Sequence, residues 1–243
     1  MEAIFDPQDR PTSTLWNTVF QNESENCDKL SQSALTNLCQ TYSIPVYLYF
    51  RTKGFDPLRS EKLTQAFFIH FQNQNFTTLT LEQKQRFRKV LFSELQPYIE
   101  QQQKQTTPSE LSCDHQTVVE LDQNLAKMIL SNPPSSDLPD EACFNHLWSS
   151  TIIHYSYIQL ERDYKGKGKK VLFHAIKGVL NGELRIKGYS KVAEDLNMSE
   201  ASVKTSAQRL KSRYRVKLKS LIGETLLNDV HPEEELNTLF SRI

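Results

Sequence analysis

Glycine is scarce in this chain, seven residues in 243, and few stretches alternate apolar with polar residues. A β-sandwich or barrel needs both, so abundant Leu, Gln, Lys and Glu point instead to an all-α protein. Long apolar runs are missing too. None approaches the roughly 18 residues of a membrane span, and Met1 to Arg10 has no signal-peptide character. The four cysteines (Cys27, Cys39, Cys113 and Cys143) show no paired spacing, which fits reduced thiols in a cytoplasmic protein. Cys143, His146 and His154 could begin a zinc site, but no fourth ligand is evident and structural or surface roles are expected. The lysine-glycine run KGKGKK, residues 165–170, lacks the strand, Gly-Lys-Ser/Thr loop and helix of a nucleotide site. It reads as an inter-helix turn whose lysines are placed to touch backbone phosphate. No nucleophile, base and orienting group come together in any pattern, so no enzyme and no cofactor are expected.

Net charge is also absent, because 29 basic residues balance 29 acidic ones, yet the balance is uneven along the chain. Residues 1–160 hold 12 basic and 18 acidic residues, and residues 161–243 hold 17 and 11. Two segments with different partners are implied. A charged fraction of 24% beside 38% hydrophobic residues leaves room for solvated surfaces and real cores.

What is present is clearest in Gly188 to Lys219, GYSKVAEDLNMSEASVKTSAQRLKSRYRVKLK. Ser190 can cap a short helix over Lys191–Leu196, and Asn197 after it tolerates the left-handed backbone of a tight turn. Ser199 can then cap a second helix. Ala193 permits close approach of the two, and Val203 packs back onto the first. This is the pattern of a helix-turn-helix. At about 100° per residue, Val203, Ala207, Leu210, Tyr214, Leu218 and Leu221 fall on one stripe of the second helix. Opposite lie Ala201, Ser202, Thr205, Gln208, Arg209 and Ser212. Lys204, Lys211 and Arg215 flank one side and Arg213 the other. Seven basic residues and no acid stand between Lys204 and Lys219. A polar centre between basic edges suits a major groove, with bases in front and phosphates beside. Ser199, Ser202, Lys204, Thr205, Gln208, Arg209, Lys211, Arg213 and Arg215 are the candidate contacts to double-stranded DNA.

The N-terminal half reads as a helical domain over residues 12–100. Helices are expected near residues 12–20, 31–53, 60–72 and 81–99, with a polar loop from Asn22 to Lys29. The second should be amphipathic, with Leu35, Leu38, Tyr42, Val46, Tyr49 and Phe50 on its apolar stripe and a kink or break at Pro45. Gly54 should end it, and Asp56 before Pro57 should cap the next. Pro97 should end or bend the fourth. Residues 101–139, Gln-rich and then Ser/Pro-rich, read as a flexible linker in which Val118 to Leu130 could form a short helix. A second domain, 140–243, opens on a helix from about Glu141 to Asp163 and closes on a helix from Pro232, with Leu236, Leu239 and Phe240 available for packing.

The stretch RTKGFDPLRSEKLTQAFF, residues 51–68, resembles the second conserved region of bacterial RNA polymerase sigma factors of the extracytoplasmic-function type. The likeness continues through residues 75–95 and through the helix-turn-helix, which is similar to their fourth region. The ending IGETLLNDVHPEEELNTLFSRI is similar to the C-terminal extension of a long subgroup. The resemblance implies a cytoplasmic factor, monomeric when free, with two helical domains on a linker. It also implies RNA polymerase core as partner, bound through Glu61, Leu63, Gln65 and Phe68, and an anti-sigma or other regulatory protein. Promoter DNA would be read at its upstream (minus thirty-five) element, with catalysis left to the polymerase. Ala66 and Lys62 stand where the family is usually acidic. Residues 93–105, SELQPYIEQQQKQ, keep only Tyr98 and Lys104 where the family's promoter-melting segment is rich in Arg and Trp. Those departures keep a second reading open: a derived DNA-binding regulator or polymerase adaptor without promoter melting.

Overall fold

A computed structural model of the chain describes residues 13–20, 25–74, 76, 79–104, 118–184 and 188–240, with side chains in 25–28 and 238–240 left aside. Thr12, Asn22, most of the first half of the linker, Cys113, and the side chains of Cys27, Leu239 and Phe240 therefore lie outside the description. The described residues are helical, with no strand among them. The chain is all-α. The elements are α1 (Leu15–Thr18), α2 (Glu25–Thr52), α3 (Pro57–Gln72), α4 (Leu81–Lys84), α5 (Phe87–Lys104), α6 (Gln123–Leu130), α7 (Asp140–Gly166), α8 (Lys170–Ile176), α9 (Tyr189–Asp195), α10 (Glu200–Gly223) and α11 (Pro232–Phe240). No described helix is long and apolar enough to cross a membrane.

Two compact units emerge, Met1–Thr151 with Ile222–Ile243, and Ile152–Leu221. These limits differ from those the composition suggests. The opening of α7 carries Phe144, Leu147 and Trp148 into the first unit's core, and the acidic C-terminal segment joins that unit as well.

The first unit is built round α2. The expected amphipathic stripe gives way to burial on every side, since each residue from Tyr42 to Phe50 is buried. Such a helix needs apolar or satisfied groups all round. Phe67, Phe68 and Phe71 of α3, Phe87 and Leu91 of α5, and Trp148 of α7 are fully buried in the same unit, and Trp148 stacks on Tyr42 at 4.0 Å and 13°. Pro45 lies in this wrapped stretch, and α2 runs through it without a break. A proline inside a helix costs about 3 kcal/mol through the lost hydrogen bond and the clash of its ring, which the packing of both flanks offsets. α5 likewise continues through Pro97 to Lys104.

Local chemistry sets the ends. Gly54, at φ 89°, takes the left-handed turn after α2. Asp56 Oδ1 accepts from Arg59 N at 2.9 Å, with Pro57 in the first turn of α3. The helix expected over 81–99 splits at Gln85–Arg86. Thr80 and Gln83 close a capping box on α4, and the chain then opens to pair with the C-terminal segment. Phe87 N donates to Thr225 O at 2.9 Å and Leu227 N to Gln85 O at 3.1 Å. On the other side of that segment Trp16 N donates to Glu224 O at 3.0 Å and Thr14 Oγ1 to Leu226 O at 2.6 Å. Glu235 of α11 is buried, its two oxygens held by Arg86 at 2.7 Å and by Arg88 at 2.6 Å. Arg88, itself buried, also donates to Asn145.

The second half of the linker is ordered. Val119, Leu125, Ala126 and Ile129 are buried. Gln65 Oε1 accepts from Val118 N at 2.9 Å and Val119 N at 3.1 Å, while its Nε2 donates to Val119 O at 2.6 Å. Gln40 and Ser43 of α2 both donate to Glu120 O.

Both tryptophans, Trp16 and Trp148, belong to the first unit, so their fluorescence follows that unit's unfolding. Removing one partner of a buried ion pair strands the other, at about 3–5 kcal/mol. Glu235→Ala should lower the urea stability by that amount, whereas Lys53→Ala, breaking the half-exposed pair to Asp140, should cost at most about 1 kcal/mol. Alkali gives a second test. Burial pushes the Cys39 thiol up from 9.0 to about 12. The unfolded chain loses that proton first, so this part of the stability is whole below pH 9.0 and is lost as pH rises towards 12. Fluorescence-monitored urea midpoints should fall across that window, and Cys39→Ala should make the fall shallower.

Candidate nucleic-acid interface

The second unit has its own core, in which Leu160, Phe173, Ile176, Val203 and Leu210 are fully buried and Val192, Ala193 and Ala207 nearly so. Around it α9 and α10 form the expected helix-turn-helix. Gly188, in place of the expected Ser190, is the N-cap of α9, at φ 74° where a side chain would be strained, and Ser190 lies inside the helix. Asn197, at φ 51°, is the sole described non-glycine residue with positive φ. It makes the turn, and Met198 N reaches back to Ala193 O at 2.9 Å. Ser199 Oγ accepts from Ser202 N at 3.2 Å and lies 2.8 Å from Ser202 Oγ. The cap is therefore formed, and the two hydroxyls engage each other. Val203, Ala207, Leu210 and Leu218 of the apolar stripe are buried, and Tyr214 Oη donates to Ile153 O at 3.2 Å. Burial raises the Tyr214 hydroxyl to about 12, so it stays protonated and able to donate.

The opposite face is open. Ala201, Ser202, Thr205, Gln208, Arg209 and Ser212 are exposed, as are Lys204, Arg213 and Arg215, with Lys211 half-exposed. All the residues singled out on α10 thus lie on one side of the helix, with Ser199 at its start. Lys204 pairs with Glu200 one turn earlier at 2.7 Å, and hydrogen bonding to that carboxylate raises its pKa. Arg213 lies over the Tyr164 ring, 5.6 Å from its centroid, and Lys217 pairs with Asp163 at 2.9 Å. Val216 was not evident as a site residue, yet it is 59% exposed and prolongs the polar face. An apolar side chain left in water on a helix that buries its other valine was the available signal.

Restricting the count to Ile152–Leu221 sharpens the charge asymmetry. This unit holds 16 Lys and Arg against 6 Asp and Glu, and the rest of the chain holds 13 against 23. The lysine run is the turn it was expected to be. α7 ends in a Schellman motif with Gly168 at φ 68°, Lys169 N donating to Tyr164 O at 2.8 Å and Gly168 N to Lys165 O at 3.0 Å. Lys165, Lys167, Lys169 and Lys170 are all exposed.

The residues assigned to polymerase binding do not form a surface. Leu63 and Phe68 are fully buried, because their spacing on α3 puts them in the core stripe with Phe67 and Phe71. Gln65 is taken up by Val118 and Val119. Glu61 alone of the four is exposed, with Gln123 Nε2 3.5 Å from its carboxylate. Tyr98, the one aromatic in residues 93–105, packs against Phe50, Phe67 and His70. Among the described residues no group of three or more His, Cys, Asp or Glu could hold a metal ion. Cys143 is buried, and burial raises its thiol above the ordinary value. No family model, curated protein or solved structure matches the chain.

Arg209 stands in the middle of the exposed face, where paired hydrogen bonds to guanine are open to it, as they are to adenine for Gln208. Arg209→Ala should cost about 1–3 kcal/mol on the preferred duplex and relax selection there. Lys211→Ala should weaken all sequences alike. Binding-site selection followed by titration of each variant measures both effects. Unchanged site ranking for Arg209→Ala would refute base reading by this residue.

Proposed function

We propose that the chain is a helix-turn-helix transcription factor that binds duplex promoter DNA through α10. The observation that carries this reading is the exposed face of α10, a small and hydrogen-bonding centre with basic residues on both edges and no acid from Lys204 to Lys219. A solvated helix face would mix both signs. In the fuller form suggested by the sigma-type resemblance, the second unit reads the upstream promoter element and the first engages RNA polymerase core in the cytoplasm. An anti-sigma or other regulatory protein would control a monomeric factor. Of the residues assigned to that docking, Glu61 is the one exposed to make it.

A specific observation favours the second reading, a regulator or adaptor that does not melt DNA. Holding an unpaired strand needs aromatic platforms worth about 1–3 kcal/mol per base. Tyr98 is occupied by ring contacts within the chain, and the rest of residues 93–105 offers no other aromatic and a single base, Lys104. The full chain should co-purify with core polymerase and leave promoter thymines unreactive to permanganate. A melted bubble would restore an ordinary sigma factor. Absence of co-purification would remove the polymerase and leave a DNA-binding protein.

Salt dependence tests the DNA reading itself. Each phosphate contact contributes about −0.9 to the slope of log K against log salt. Replacing Lys204, Lys211, Arg213 and Arg215 together by Gln should flatten that slope by about 3.6. A slope equal to that of the unaltered chain would refute α10 as the contact.

A further inference from the structure

A helix lying in a major groove meets phosphates on both sides, and the two edges of α10 are unequally supplied. Lys204, Lys211 and Arg215 lie along one edge, with Lys204 paired to Glu200. Arg213 and Lys217 lie along the other, and Lys217 is paired with Asp163. The structure places a second source of positive charge beside that poorer edge. Arg213 sits over the ring of Tyr164, the carbonyl of Tyr164 accepts the amide of Lys169, and Asp163 holds Lys217. The lysine turn therefore begins one residue beyond Tyr164, whose ring meets Arg213 of α10. The Schellman motif fixes its backbone, with Gly168 in the left-handed conformation, and its four lysines are exposed. Within Lys165–Lys170 there is no acid, and both remaining residues are glycines.

We propose that the turn Lys165–Lys170 is a phosphate clamp that grips the DNA backbone flanking the Arg213 edge of α10. This rests on the reading of α10 as the groove-binding helix and adds to the contact of Arg213 on one side. The row Arg209, Arg213, Lys217 climbs α10 at four-residue intervals, about 12 Å from first to last at 1.5 Å per residue. It leads from the base-reading centre to Tyr164 and Asp163, at the end of α7 from which the turn springs. Lysine suits the role as a point charge on a flexible stem that needs no fixed hydrogen-bond geometry. Contacts to phosphate position the protein and carry no sequence information, so the clamp adds affinity and leaves specificity to Gln208 and Arg209.

The test is equilibrium binding of the full chain to a duplex carrying its selected site, across a range of salt concentrations. Replacing Lys165, Lys167, Lys169 and Lys170 together by Gln should flatten the slope of log K against log salt by about 1.8 or more, the equivalent of two contacts. The ranking of sites should not change. Replacing the same four by Arg should keep the slope of the unaltered chain, which separates charge from any effect on folding. A Gln variant with the unaltered slope would overturn the clamp while leaving α10 as the DNA contact. A changed site ranking would also overturn it, since the turn would then be reading bases. Hydroxyl-radical footprinting of the unaltered protein gives a second readout, with protected sugars expected on one strand beyond the α10 site. Protection confined to the α10 site would refute the clamp. Loss of all salt dependence in the unaltered chain would overturn both the clamp and the reading of α10.

Discussion

Glu235 brings a carboxylate into the interior of the first unit, where an isolated charge would cost several kcal/mol. Arg86 and Arg88 bond its two oxygens, and Asn145 takes a further Arg88 donor. The arrangement depends on residues far apart in the chain: the start of α5, the first turns of α7, and α11. Around it the backbone of residues 224–227 lies between α1 and the break before α5, bonded on both sides. Each group in this set satisfies another that burial would otherwise leave unpaired. The aromatic packing of α2, α3 and α5 closes round the same region, with Trp16 against Phe87 and Tyr42 against Phe87 and Trp148.

The second unit works by a different economy. Its core is small and aliphatic with Phe173 at its centre, and its helices are held by turns that demand particular residues: Gly168, Gly188, Asn197 and the Ser199 cap. The firmly seated inner face of α10 leaves its outer face in solvent. That is why small and hydrogen-bonding side chains can occupy it. Glu200 and Asp163 neutralise Lys204 and Lys217, so the charges counted along α10 are not equally available. The distribution over the unit matters more than the number on one helix.

Some of this was legible beforehand. Helical periodicity, glycine scarcity and capping residues identified an all-α chain, the ends of α3 and the helix-turn-helix down to the φ of Asn197, because each depends on neighbours within a turn or two. The outward face of α10 followed from the same periodicity. Other expectations failed where distant residues intervene. The break allowed at Pro45 and the helix end allowed at Pro97 do not occur, because tertiary packing outweighs a local penalty. A single helix over 81–99 is broken because the C-terminal segment claims its backbone at Gln85 and Phe87. Leu63 and Phe68 lie in the core as their helical spacing implies, which removes them from the docking set that the resemblance suggested.

The sequence by itself determined helix type, turn chemistry and the polar face of α10, all of which arise from interactions within about one helical turn. The tertiary structure decided the membership of the units. It drew the opening of α7 and the acidic C-terminal segment into the first unit and thereby left the second strongly basic. It also set Asp163 and Tyr164 against α10, which puts the lysine turn next to Arg213. Such pairings depend on which side chains bury one another across long separations, and a local pattern carries no record of them.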